Sequence, residues 1–320
     1  MVLAYHLFAL NSRYYQDLLP DFFYTGTLGV DIFFILSGYV MALITHKASP
    51  GYLTVRSFII KRGLRIYPIY WLYTSLVLLI YAINPNIVNS SYTENPSILR
   101  SFLLLPDFSA PWLNVGWTLV YEIYFYFLIS ILLFFKLKIR NYFLLFYFIF
   151  LIFYNFNYYY SLNPNNPFKE YYLSPLVCEF ILGYWLFFKQ YNKNTSVNSA
   201  GLFLSLTFMI TSSYWIDIDS NFKRLIIFGF PSLMFVYCFM SIFSEKRNFN
   251  FFKTLGDISF STYLSHVLVL NAVGVVFRFL EINGLIGSIL CLFFSILSVY
   301  AWSYISFHFF EKRILSYASK

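Results

Sequence analysis

The chain is predicted to be all-α, a polytopic membrane helix bundle of about ten transmembrane helices, and three observations predict it. Of its 320 residues, 59% are hydrophobic, 24% aromatic and only 11% charged, far below the roughly one-quarter charged content of soluble domains. Apolar runs close to the ~20 residues that cross a bilayer recur from end to end, so the solvent is largely lipid. The short connections alternate between rich and poor in Lys and Arg, as membrane topology requires. A single membrane domain over residues 1–320 follows, with no separate soluble domain.

The predicted spans are 1–10, 27–45, 66–83, 116–135, 142–158, 172–188, 200–215, 225–243, 258–277 and 284–307. The first is short, ~15 Å of helix against ~30 Å of hydrocarbon. The native reading frame is therefore expected to begin upstream of Met1 and complete that span. The second runs through Gly29-Val-Asp-Ile-Phe-Phe-Ile-Leu-Ser-Gly38, and the third is entered through Lys61-Arg62-Gly-Leu-Arg65-Ile-Tyr-Pro68. Between the third and fourth, Asn84 to Val115 carries Pro85, Pro96, Pro106 and Pro111, the signature of an irregular surface segment. The remaining spans follow at short intervals without an internal repeat.

Assigning basic residues to connections puts 16 of the 22 on one side. These include Lys47, Arg56, Lys61, Arg62 and Arg65, then Lys136, Lys138 and Arg140, and the tail's Lys312, Arg313 and Lys320. The other side holds only Arg13, Arg100, Lys169, Lys223, Arg224 and Arg278. The rich side is read as the cytoplasm, with both termini there, in a cell (inner or plasma) membrane. The net charge of +8 is thus a topology signal, and the basic residues form no stripe for nucleic acid. Cys178, Cys238 and Cys291 fall inside apolar runs without paired or metal-ligand spacing, so they are read as packing residues and no metal is predicted.

Ionisable groups inside spans cost a few kcal/mol each on insertion scales and so need a reason. They are His6, Asp31, Glu122, Glu179 and His266. His6 is expected ~6 Å from the outer end of the first span. Asp31 and Glu122 lie about one turn into spans that start outside, so the three share one depth and form an acid–base candidate, ranked above simple helix pairing. Glu179 is read as a helix-packing hydrogen bond. His266 falls near the midplane, deeper than His6 and outside the catalytic set. Ser37-Gly38 is read as a small-residue pair for close helix approach, ahead of a nucleophilic serine. Arg62 and Arg65, at i and i+3, can fork onto phosphate oxygens, although by spacing alone they are lipid-headgroup anchors first.

The same stretches resemble the signatures of the acyltransferase 3 family, membrane O-acyltransferases of surface polysaccharides. The matches are Gly29-Val-Asp-x-Phe-Phe-x-Leu-Ser-Gly38, Lys61-Arg62-x-x-Arg65-Ile-x-Pro68, Trp117-Thr-Leu-x-x-Glu122-x-x-Phe-Tyr126 and Leu255-Gly-x-Ile-Ser-x-Ser-x-Tyr-Leu-x-His266. The resemblance implies an acyl-CoA donor, usually acetyl-CoA, approached from the cytoplasm, with Arg62 and Arg65 as phosphate contacts beside Lys61. It also implies that His6 is the catalytic base. The family's arginine about ten residues before that histidine falls before Met1, so this pattern is half present.

A sugar hydroxyl attacks well only as its proton is removed, which suits an imidazole. A carboxylate at Glu122 or Asp31 could orient the ring. The expected partners are acyl-CoA, membrane lipids and a surface glycan or lipid-linked saccharide acceptor. The alternatives are a polysaccharide or small-solute transporter, with the same polar residues lining a pathway, and a succinyl or other acyl transferase of the same fold.

Overall fold

The structure is a computed structural model that describes residues 1–14, 19, 25–85, 95–157, 166–192, 194–215, 221–243, 250–282 and 284–318. Regular structure among the described residues is helical throughout, and the protein is an all-α polytopic membrane protein. The helices are α1 (Val2–Tyr14), α2 (Leu28–Thr45), α3 (Tyr52–Ile83), α4 (Ile98–Leu103), α5 (Trp117–Leu132) and α6 (Leu137–Asn157). There follow α7 (Pro167–Tyr172), α8 (Leu176–Leu186), α9 (Thr195–Trp215) and α10 (Asn221–Phe243), the last with a π-helical turn at Leu225–Gly229. The chain ends in α11 (Asn250–Phe279), α12 (Gly284–Ser306), a π-helical turn Phe307–Glu311 and α13 (Lys312–Ala318).

Seven described helices are long and apolar enough to cross a membrane, fewer than the ten spans expected. Three expected spans account for the difference. The first is a short apolar helix. The segment expected as 172–188 is broken at Leu173-Ser174-Pro175, because proline cannot continue the preceding helix, leaving α8 only 11 residues long. The segment expected as 200–215 lies in α9, which begins earlier, at Thr195, and takes in Asn198 and several Ser and Thr.

Lipid exposure follows helical periodicity. On α6, Phe146, Ile149, Phe150 and Phe153 are exposed, while Leu144, Leu151 and Asn155 on the other side are buried, the pattern of a helix with one packed stripe and one solvent-facing one.

The described residues form two compact units. The first comprises 1–27, 60–117 and 249–320. Within it Leu7 and Leu10 of α1 pack with Leu270 and Phe277 of α11 and Cys291 and Val299 of α12. The segment expected to be irregular is built into this unit. Tyr70 donates to Ser101 O at 2.8 Å, Trp71 Nε1 to Phe102 O at 2.8 Å and Trp112 Nε1 to Pro96 O at 2.9 Å. Trp112, Leu113 and Val115 are buried. Aromatic N–H and O–H groups of α3 and of Trp112 thus donate to carbonyls in the last turn of α4 and just before its start. Residues 86–94 of that segment lie outside the described residues.

The second unit comprises 28–59 and 118–248. Its tightest joint is α2 on α8. A Cβ at Gly38 would come within 1.9 Å of Phe180 O, and one at Gly183 within 1.9 Å of Ile35 O. Close approach of small residues is the ordinary way helices associate in lipid, where no hydrophobic drive exists between them, and Ser37-Gly38 serves it as expected. Phe34, Phe125 and Phe180 stack alongside, with centroids 4.6 and 4.9 Å from Phe180. Arg140, 2% exposed, caps the end of α2 by donating to Thr45 O at 3.0 Å and Ala48 O at 3.1 Å.

Candidate functional site

In the first unit, the ring of His6 on α1 meets that of His266 on α11 edge to face, with centroids 4.8 Å apart at 62°. His266 is 1% exposed. Its Nδ1 stands 2.7 Å from Tyr263 O and 3.1 Å from Thr262 O. Carbonyls only accept, so Nδ1 carries the hydrogen and Nε2 of the neutral ring is left as an acceptor. That Nε2 is buried and has no hydrogen-bond partner among the described residues.

This contact corrects the expected separation in depth between the two histidines. Helix α1 does not end at Leu10 but runs to Tyr14, with Asn11 buried. His6 therefore lies eight residues, or ~12 Å, from the helix end. Hydropathy alone had stopped the span at its first polar residue.

Lys61, Arg62 and Arg65 stand well inside α3, which begins at Tyr52 and not at its expected start near 66. Lys61 is exposed, and Arg62 and Arg65 are half-buried. The side chain of Arg65 lies 3.3 Å from Glu311 Oε1, and its guanidinium 5.5 Å from the centre of the Phe260 ring. Glu311 is 1% exposed and accepts from Ser261 Oγ at 2.7 Å. It sits at the end of the π-helical turn after α12, beyond the expected last span, and no motif in the sequence pointed to it.

In the second unit, Asp31 is fully buried and held by a bidentate fork: Arg224 Nε donates to Oδ1 at 3.0 Å and Nη2 to Oδ2 at 2.7 Å. The planar guanidinium matches a carboxylate in this way, and the pair is strong when shielded from water. Glu179, fully buried on α8, belongs to the same charged cluster. Gly229, on the π-helical turn of α10, gives it room, since a Cβ there would meet Glu179 Oε1 at 2.8 Å. Arg224 had been read as a loop charge. Its partner is 193 residues away, and no local pattern could have joined them.

Glu122 on α5 accepts from Ser37 Oγ at 3.2 Å and from the hydroxyl of Tyr126. Ser37 lies six residues beyond Asp31 on α2, or ~9 Å along the axis. The two carboxylates are thus engaged at different levels of α2, with different partners, and not at the shared depth expected. His6 belongs to the first unit, Asp31 and Glu122 to the second.

The fold is that of a polytopic helical membrane protein, with half-buried His6 against buried His266 and two arginines on one face of a helix. A family model described as an acyltransferase domain matches residues 1–308, and the chain belongs to this family, acyltransferase 3. It is similar to the exopolysaccharide production protein ExoZ of Rhizobium meliloti (strain 1021), with 35% identity over 112 residues, 32% of this chain and 33% of that protein. The chain thus spans about a third of the length of the curated relative it matches. No solved structure matches it.

Proposed function

We propose that the protein is a membrane O-acyltransferase that moves an acyl group, acetyl before succinyl or another chain, from acyl-CoA to a hydroxyl of a cell-surface or secreted glycan or its lipid-linked precursor. Family membership along 1–308 and a relative whose name concerns exopolysaccharide production support the class of reaction. The observation that carries the reading to named atoms is the His6 imidazole, half-buried in the first unit against a second imidazole.

In this reading His6 removes the hydroxyl proton as the oxygen attacks the thioester carbonyl. The O–C bond forms, the C–S bond breaks, and the proton passes to the departing thiolate. Arg62 and Arg65, with Lys61, bind the phosphates of the donor from the cytoplasmic side. Asp31 and Glu122 stay in the proposed catalytic set as carboxylates, both of the second unit and each already supplied with donors there. The protein lies in the plasma membrane with both termini in the cytoplasm, following its basic connections.

Purified protein is to be incubated with radiolabelled acetyl-CoA and candidate glycans. Covalent label on the glycan supports the reading, whereas glycan movement across vesicles without any covalent label would make the protein a transporter. For the topology, cysteines at Ser49 and Asn192 should resist an impermeant reagent added to intact cells, and cysteines at Asn89 and Asn163, which lie outside the described residues, should react. Labelling at Ser49 would invert the map.

A further inference from the structure

The His266 acceptor atom is unspent in a place where unspent acceptors are costly. A buried polar atom without a partner has lost its hydrogen bonds to water and gained none in return. His266 holds its Nδ1 hydrogen on two carbonyls of its own helix, which fixes the tautomer and leaves Nε2 as a lone pair. The other imidazole at this spot is that of His6. Leu7, Leu10 and Leu270 pack on the same helices, and the titratable groups recorded beside the two rings are Tyr5, Tyr263 and the amino group of Met1, while Asp257 and Arg278 of α11 lie nine and twelve residues from His266. None of the groups beside the rings supplies a carboxylate to balance an imidazolium.

A neutral His6 has one N–H, and once it has taken a proton from the attacking hydroxyl it has two. The second N–H forms inside an apolar setting, where an unpaired charged donor is strongly disfavoured. Two imidazolium ions with rings 4.8 Å apart would repel each other strongly, so at most one of the two rings is charged at a time.

We propose that His266 is the positioning residue of the acyl-transfer site: its Nε2 accepts the hydrogen bond of the His6 imidazolium formed as the acceptor hydroxyl attacks, so that the two histidines act as one proton-sharing pair. The proposal rests on His6 being the base. The proton leaves the hydroxyl as the O–C bond forms, is held on His6 against His266, and returns to the thiolate sulfur when the C–S bond breaks, so atoms and charge balance without a further reactant. The His266 role is then one that a carboxylate orienter plays beside a catalytic histidine elsewhere, performed here by a neutral ring.

The test is single-turnover acyl transfer at saturating acetyl-CoA by His6→Ala, His266→Leu and His266→Gln, with donor affinity measured in parallel. Leu removes the acceptor and Gln supplies a carbonyl oxygen in its stead. His266→Leu should be slowed about 10- to 100-fold, within the range for groups assisting general-base catalysis, with acetyl-CoA affinity unchanged, and His266→Gln should recover most of that loss. A His266→Leu rate equal to wild type, or equal slowing by Leu and Gln, would overturn the pair. A wild-type rate for His6→Ala would instead overturn the base assignment itself. If the Leu variant fails to insert, 15N-histidine spectra of the intact protein decide: both rings should shift together through one titration, and two independent titrations refute the proposal.

Discussion

The two units bury different kinds of ionisable group. In the second, carboxylates meet donors: Asp31 lies in the fork of Arg224, Glu122 receives two hydroxyls, and Arg140 is spent on carbonyls at the end of α2, whereas Glu179 keeps both oxygens without a hydrogen-bond partner among the described residues. In the first, His266 keeps an acceptor that no described group uses, and Arg62 and Arg65 stay half-exposed. An ionisable residue in lipid is not by itself a reaction centre. Asp31 and Glu122 have the hydrogen-bonded setting of groups that fasten helices, and the open acceptor of His266 is what sets the first unit apart.

Four sets of substitutions test this comparison. His6→Ala should lower single-turnover acyl transfer by ~10²–10⁴ while the protein still inserts and binds acetyl-CoA. Near-wild-type transfer would remove the first unit's claim to the chemistry.

Arg224→Ala should show itself in stability, because it strands Asp31 and Glu179 in an apolar interior. Breaking one side of a buried pair costs ~3–5 kcal/mol, to be read as a lower melting temperature in detergent. Replacing both partners, as Asp31→Leu with Arg224→Leu, should recover much of the loss. If the double variant is stable yet as inactive as His6→Ala, Asp31 is more than a fastener.

Arg62→Ala and Arg65→Ala should each weaken acetyl-CoA binding by ~1.5–3 kcal/mol through lost charge-assisted contacts. Arg65→Ala should in addition lower the melting temperature, since Glu311 is left buried beside Ser261 without its cation. Equal donor affinity in isothermal titration for both variants and the wild type would leave the arginines as anchors only.

The smallest effect is expected from Glu122→Gln, which keeps an acceptor oxygen for Ser37 and Tyr126 and removes a charge. Its transfer rate should fall by less than tenfold, corresponding to under ~1.4 kcal/mol. A fall as deep as that of His6→Ala would show that Glu122 takes the proton itself.

Much of this protein was legible from residue type and order alone. Composition dictated helices in lipid, because a backbone without water must satisfy its hydrogen bonds within each segment. The motifs around Gly38, Arg62, Glu122 and His266 pointed to the family that the whole-chain match bears out. Ser37-Gly38 could be read as a close-packing pair because a missing side chain has the same consequence in any helix.

What lay beyond the sequence is every partnership across chain distance. Asp31 and Arg224, 193 residues apart, looked like a catalytic candidate and a loop charge, and only packing made them a pair. Arg65 found Glu311 past the last expected span, and His266, expected too deep, found His6. A hydropathy profile gives each residue a depth along its own helix, but where one helix slides against another is decided by side-chain packing and hydrogen bonding, and that choice determined which buried groups were paired and which stayed open.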